Sequence, residues 1–558
     1  MWTLLLLGVA LASPSSSVLV QAAEAELARA TDLRLPDSPP PYLLSYELLD
    51  GQVASVEASF GALTSTDQGP YRVLRVEVRV GDYALDNGNF EGSFGERSGT
   101  TQRLLPDEDD VLALRREIWL ATDEAYKGAT EQLSGKLAAR EGSTRSFGPD
   151  LYRVEPLVTE PVEWGEVPAE PLEELVRELS GRLVGRGLEE GRASARAWQG
   201  ARLLISSEGH RAWIPTGYAV VRVEAVTRAE DGARLRDVRS WVVRDAASLP
   251  EREQMGAEVD AMVDWLVGLQ TAPVEGDYLG PVLFEGPAAL ELFRQLLAAE
   301  ISGTPPMELP PEDVGEGGQV PTARIGRRLL PLGWSVVDDP ARAEEEGLAG
   351  GYTVDFEGVP AQRVELVEDG VVRRLLMSRV PRQGMEGSTG HGRSLGSNRR
   401  EAMPAAVRIE PARPKGEGRL QKKGLRLARP TLQPYLLVVE EMEPPAVSED
   451  FQVAFSGEGP LPGLTRPTRA WRLYPDGRRE PVRGLSFVGV DRRVLRDIVL
   501  AGRTEDPVGV MDAAPGSQRF GIGTLGGLPA SWAVPAVLIG ELELSGSPGR
   551  EQRVLKMP

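Results

Sequence analysis

The chain has 558 residues, a formal charge of −20, only two histidines (His210 and His391) and no cysteine. That length implies about three domains with sizeable cores. An acidic balance with pI near 4.9 argues against a surface that tracks nucleic-acid phosphates. The scarcity of histidine and cysteine removes most of the side chains from which tetrahedral zinc sites are built.

Residues 1–22 read as a secretory signal. An apolar run from Trp2 to Ala12 is too short to span a bilayer, and small residues at Ala10, Ala12, Val20 and Ala22 suit a signal peptidase. The expected product is exported, periplasmic or extracellular, and no later segment is long enough for a membrane helix. An N-terminal α+β domain is expected over residues 23–148. Strand patterns run from Tyr42 to Leu48, Val53 to Phe60 and Tyr71 to Val80. In the last, Leu74, Val76, Val78 and Val80 alternate with Arg75, Glu77 and Arg79, which predicts an antiparallel sheet with one solvated face. Asp107 to Asp110 then open a long helix whose apolar positions are Leu112, Ile118, Trp119, Ala125, Tyr126, Leu133 and Leu137.

A second α+β domain is expected over residues 149–302. Pro171 starts a helix with an apolar stripe at Leu172, Leu175, Val176, Leu179 and Leu183. Strands follow from Arg202 to Ser206, Tyr218 to Thr227 and Leu235 to Val243, the last two joined by a turn at Asp231-Gly232. Helices after Pro250 and from Ala288 to Ile301 complete it. Residues 303–320, rich in Pro and Gly, read as a linker. Residues 321–558 read as a β-rich, mostly antiparallel domain with hairpins at Asp369-Gly370 and Asp476-Gly477, and 383–418 as a flexible loop. The fold class is therefore α+β throughout.

Gly392-Arg393-Ser394-Leu395-Gly396 matches the outline of a serine-hydrolase nucleophile elbow, but it lacks the flanking strand and helix, and no histidine follows it. Asp82, Asp86, Asn87 and Asn89 lack the spacing of a twelve-residue calcium loop and read as a polar strand exit. Asp107 to Asp110 read as a helix cap, Asp338-Asp339-Pro340 as a turn and His210 as a turn residue.

The run from Gly351 to Arg363, GYTVDFEGVPAQR, continues through VELVEDGVVRRLLMSR to Gly387-Ser388-Thr389-Gly390-His391-Gly392-Arg393, and resembles the C-terminal domain of the TldD/PmbA family of bacterial metallopeptidases. VRVEVRVGDYALDNGNF, the helix ending in ATDEAYK, and Ser206-Ser207-Glu208-Gly209 extend the resemblance over roughly residues 42 to 545, toward a TldD-related branch often made for export.

Catalytic members of that family carry H-E-x-x-x-H, two histidines for zinc and a glutamate as general base. The resemblance sets Phe284-Glu285-Gly286-Pro287-Ala288-Ala289 at that motif. Glu285 alone is retained, Phe284 and Ala289 stand in the ligand positions, and the cysteine ligand expected near Gly521 is missing. The resemblance thus implies a subunit that binds no metal or other cofactor itself, with zinc in a TldD-like paralogue that it supports. Self-association is the other partner arrangement. His391, Gly390, Gly392 and Arg393 are the candidate groove residues toward an extended peptide or a partner, and neither nucleic acid nor a membrane span is expected. The alternatives are an active metallopeptidase with an unconventional carboxylate metal site, or a stand-alone envelope binding protein.

Overall fold

The computed structural model describes residues 15–36, 38–90, 98–141, 148–308, 325–382, 384–385, 387–394, 399–431, 433–445, 463–512 and 527–546. The first part of the chain contains α1 (Ser15–Ala30), β1 (Pro41–Ser59), β2 (Ala62–Val80), β3 (Thr100–Leu104), α2 (Val111–Arg140), α3 (Glu170–Gly181), β4 (Glu190–Ser206), β5 (Arg211–Arg228), β6 (Arg234–Val243) and α4 (Arg252–Gly268). Its six strands form one antiparallel sheet in the order β3-β2-β1-β4-β5-β6. The two N-terminal domains expected from sequence therefore share a single sheet. The physical reason is strand length: β1 is 19 residues long and pairs with β4 from Ser45 to Ser59. Its first half packs under α1 and α2 through Leu44, Tyr46 and Leu48; its second packs under α3 and α4 through Ala54, Val56 and Ala58. Likewise, the two strands expected at 42–48 and 53–60 are one, because Asp50 and Gly51 continue the ladder and the turn comes at Phe60 and Gly61, both at positive φ.

Local chemistry starts and stops the helices as expected. Asp110 caps α2, its carboxylate accepting from the backbone N–H of Leu112 at 2.8 Å and Ala113 at 3.2 Å. The buried stripe of α2 runs through Leu114, Ile118, Ala121, Ala125, Ala129 and Leu133, whereas Leu112, Trp119 and Leu137 are exposed. Small alanines, weak as a hydrophobic signal, carry the contact face.

The remainder contains β7 (Tyr278–Phe284), α5 (Gly286–Ile301), β8 (Ser335–Asp338), α6 (Pro340–Glu345), β9 (Val364–Glu368), β10 (Val371–Val372), β11 (Gly392–Arg393), β12 (Glu401–Ala402), β13 (Ala406–Glu410), α7 (Glu417–Ala428), β14 (Leu436–Met442), β15 (Pro467–Leu473), β16 (Arg479–Val482), β17 (Leu485–Phe487), β18 (Ile498–Thr504), β19 (Val508–Asp512), β20 (Leu528–Ala533) and β21 (Pro535–Gly546). One sheet runs β10-β9-β8-β13-β20-β19. A second runs β16-β15-β14-β7-β21-β17, with β18 also on β21. Most pairs are antiparallel; β13 with β20 and β14 with β7 are parallel. Side chains of α5 and both sheets share one core, and α7 covers the outer face of the second sheet through Leu420.

Two sequence boundaries move. β7 and α5, expected at the end of the second domain, belong here, since β7 is central in the second sheet between β14 and β21. The expected flexible loop at 383–418 contains β11, β12 and β13, with Met403, Ala405 and Ile409 fully buried. Among its described residues, Gly390 and Gly392 serve a turn and a strand, and Arg393 and Arg400 are buried cations. No described helix is long and apolar enough to cross a membrane. Part of the linker expected at 303–320 and most of the signal expected at 1–22 lie outside the described residues.

Candidate functional site

The charged faces of β1, β2 and β4 are not solvated. Along β2, Leu74, Val76, Val78 and Val80 face the helices, which sends Arg75, Glu77 and Arg79 to the opposite side. There Arg75 and Arg79 are buried, close to side chains of the C-terminal part. Period two fixed which residues share a face. It could not say what covers that face.

The cover consists of the two segments that carry the family resemblance, locked together. Asp355 is fully buried and accepts from the backbone N–H groups of Glu357 and Val359, both at 2.9 Å, and Gly392 at 2.8 Å. The Phe356 N–H donates to the Gly392 carbonyl at 3.1 Å, and the Tyr352 hydroxyl to the Gly390 carbonyl at 3.0 Å. Burial pushes Asp355 and Glu357 above the usual carboxylate range, against the backbone donors that favour the charged form. A side chain on Gly392 would run into the Glu357 carboxylate.

Between this cover and the sheet lies a cavity of about 220 Å³. Its charged lining is five arginines (Arg75, Arg196, Arg202, Arg244 and Arg393) and one acid, Glu47. Arg75 pairs with Glu77 and Arg244 with Glu344. Glu47 is shared by Arg202 and by Arg400 of the segment before β12. The Phe356 ring lies under the Arg202 guanidinium, 3.6 Å from its centroid, with Arg400 at 5.4 Å and Arg393 at 5.8 Å. Burial, reinforced by Arg393, weighs against the charged form of Arg202. The apolar wall includes Trp198, Ile214 and Pro215. Trp198 lies over the cross-strand pair Gly51 and Gly200, where an added Cβ would come within 2.6 and 2.7 Å of its ring.

Of the residues singled out from sequence, Arg393 lines the cavity, but His391 does not. The His391 ring is fully buried, its Nδ1 at 2.9 Å from the Thr389 hydroxyl and its Nε2 3.5 Å from Asp338. Gly390 and Gly392 are buried turn and strand positions, so in this structure His391, Gly390 and Gly392 pack inside the cover while Arg393 faces the cavity. His210 does lie in the β4–β5 turn, but its ring is buried, and its Nδ1 accepts from the Leu157 N–H at 3.0 Å. Ser394 accepts from Arg400 and faces no histidine among its described partners. Asp86 is taken by Arg79 and the Tyr42 hydroxyl, at 2.8 and 2.6 Å. The residues missed from sequence are Arg196, Arg202, Glu47, Tyr352 and Phe356. For Glu47, Arg196 and Arg202 the signal was available as charged residues on alternate strand positions, whereas Tyr352 and Phe356 lie outside the strands.

The stretch from Phe284 to Ala289 does not form one helical motif. Phe284 ends β7, fully buried and stacked on Phe487 at 5.8 Å; Glu285 precedes α5; Ala289 is buried inside α5. Glu285 Oε1 is buried without a hydrogen-bond partner among the described residues. Burial, followed by the charges of Glu417 and Glu440, pushes its carboxyl up to about 7. Elsewhere on α5, Arg294 pairs with two acids, Glu291 and Asp512. These residues do not fit a zinc ion: no nitrogen or sulfur donor stands at 284–289, and no group of three His, Asp or Glu among the described residues is placed to hold a metal. The cysteine position near Gly521 lies outside the described residues.

Residues 275–457 match the family model for the PmbA/TldA metallopeptidase C-terminal domain. Among solved structures, the chain is similar to a candidate modulator of a DNA gyrase from Thermotoga maritima, with 15% identity, TM-score 0.59, and coverage of 94% of this chain and 100% of that one. It is similar to TldE from Thermococcus kodakarensis at 14% identity and TM-score 0.57, over 94% of this chain and 100% of that one. A candidate modulator of DNA gyrase from Bacteroides thetaiotaomicron gives 11%, 0.59, 96% and 100%. At these identities the likeness is one of fold. A comparison with proteins of curated function returns no match.

Proposed function

We propose that this chain, whose residues 275–457 match the PmbA/TldA metallopeptidase C-terminal domain and whose fold is that of those structures along nearly its whole length, is a TldD/PmbA-family, metallopeptidase-related subunit without its own metal that supports proteolysis by a zinc-bearing paralogue. The observation that carries this reading is the position of Phe284 and Ala289. Both side chains are built into the hydrophobic core at the positions the family resemblance assigns to zinc ligands, and neither carries a donor atom for a metal. Glu285 is a desolvated acid between the end of β7 and the start of α5.

In this reading the protein is exported and assembles with the paralogue around an extended peptide. Co-expression of the two chains, purification, and elemental analysis test it together. The expected result is a complex with zinc in proportion to the paralogue alone, and peptide cleavage unchanged by Glu285→Gln in this chain. Stoichiometric zinc in this chain by itself, with cleavage lost in Glu285→Gln, overturns it.

A further inference from the structure

The cavity between the sheet and the Gly351 to Arg363 segment is lined by more positive than negative side chains: Arg75, Arg202 and Arg244 each have a carboxylate partner, Arg196 and Arg393 have none at ion-pair distance among the described residues, and Asp338, Asp355 and Asp512 act on Arg393 only from farther away. Arg393 is 3% exposed, yet its guanidinium donates only to two carbonyls, those of Pro404 at 3.1 Å and Pro529 at 2.8 Å. Arg196 makes no hydrogen bond or ion pair with any described residue, and the Nε of Arg196, Arg202 and Arg393 are all buried and unpartnered. Burying guanidinium groups without a counter-charge is costly, and cations that face one cavity repel each other. In a chain of net charge −20, with acids abundant elsewhere, placing Arg196 and Arg393 on one cavity with no described carboxylate at ion-pair distance, beside Arg202 and its partner Glu47, is a specific arrangement. Each Arg presents a fork of N–H donors suited to a planar oxyanion.

We propose that this cavity is a binding site for a small organic anion, a carboxylate joined to an apolar body such as the C-terminal residue of a peptide. The oxyanion lies among Arg196, Arg202 and Arg393, and the body lies against Trp198, Ile214 and Pro215. The volume of about 220 Å³ falls below the usual range for drug-sized ligands, so the occupant is a single residue or a comparably small acid. This inference stands apart from the proposed pairing with a paralogue, because it concerns only groups within this chain.

The test is calorimetric titration of the full-length protein with N-acetylphenylalanine, its amide and inorganic phosphate. The acid is expected to bind with salt-sensitive affinity and the amide at least about tenfold more weakly, as loss of a charge-assisted bond implies. Phosphate, which has no apolar body, is expected to bind more weakly than the acid. Arg196→Gln removes a side chain with no described partner, so the fold is retained while affinity for the acid falls about tenfold, and Arg196→Lys restores part of it. Equal binding of acid and amide, phosphate binding as tight as the acid, no binding of the acid at millimolar concentration, or unchanged affinity in a folded Arg196→Gln protein would each overturn the proposal.

Discussion

Arg379 reaches from the C-terminal part to Glu208 in the β4–β5 turn, its guanidinium 2.6 Å from the carboxylate, with both side chains buried. The same guanidinium donates to the Tyr152 carbonyl at 2.8 Å, and Glu208 also accepts from the Tyr83 hydroxyl at 2.7 Å. Two regions far apart in sequence are thus clamped across the charged face of the sheet. Removing one partner of a buried pair strands the other, so Arg379→Met is expected to destabilise the protein by about 3–5 kcal/mol. The double variant Arg379→Met with Glu208→Gln should recover most of that loss. Urea denaturation of the single and double variants checks both.

The same clamp gives a pH dependence. Burial by itself would raise the Glu208 carboxyl, but the hydrogen bond and charge of Arg379 outweigh it and hold the group below the usual carboxylate range. A folded-state value below the unfolded one means stability that is present above the ordinary glutamate range and is lost as pH falls through it. Wild type should therefore lose more stability than the double variant between neutral pH and pH about 3, measured as the difference in urea midpoint.

The arginines and acids of this clamp and of the cavity show how far the sequence could be read. Alternation along β2 told which residues share a face, and Asp110, Pro171, Asp231-Gly232 and Asp369-Gly370 marked caps and turns where they are found. The covering of the charged face was not legible, because period two reports two different faces and not which one meets water. The shared sheet was hidden as well: Asp50-Gly51 looks like punctuation, yet it lies within a 19-residue strand. The run from Gly351 to Arg393 that carries the resemblance lies over the charged face of the sheet, with Tyr352, Phe356 and Arg393 lining the cavity. His391 drew attention as a chemically versatile residue, whereas the neighbouring Arg393 is the one that reaches the cavity.

Gly51 supplies space rather than flexibility. A Cβ there would lie 2.6 Å from the Trp198 ring, and that indole walls the cavity. Gly51→Ala is expected to cost about 1–3 kcal/mol by overpacking. It should also alter the environment of Trp198, read as a shift in tryptophan emission in the folded protein.

Glu285 gives a prediction of opposite sign in pH. Its carboxyl is raised from 4.5 to about 7, so the fold holds the proton more tightly than the unfolded chain does, and stability falls as pH rises across that interval. Such a shift would cap the penalty on the ionised form at about 3 kcal/mol, and partial exposure to water brings the expected effect nearer about 1 kcal/mol. Glu285→Gln should therefore raise the thermal midpoint at pH above about 8 and leave it unchanged near pH 5. Equal midpoints for the two proteins at both pH values would count against the desolvated state of this acid.

The packing of α1 bears on the proposal of export, because it limits where a signal could be cut. Leu19, Ala22 and Ala23 are fully buried in the core shared with α2 and the sheet, Val20 is nearly so, and Glu26 pairs with Arg115 of α2 at 2.8 Å. Cleavage after Ala22 would strip Leu19 and Val20 from that core, at about 1.5–3 kcal/mol for each large apolar side chain lost. Cleavage after Ala12 leaves the whole helix, which starts at Ser15. A protein expressed from residue 23 is thus expected to be less stable than one expressed from residue 13 by about 3–5 kcal/mol, measured by urea denaturation. Under the proposed export, a processed chain sequenced from its N-terminus is expected to begin before Ser15. A mature chain that begins at Ala23 and is as stable as the longer form would show that α1 contributes little to the folded core.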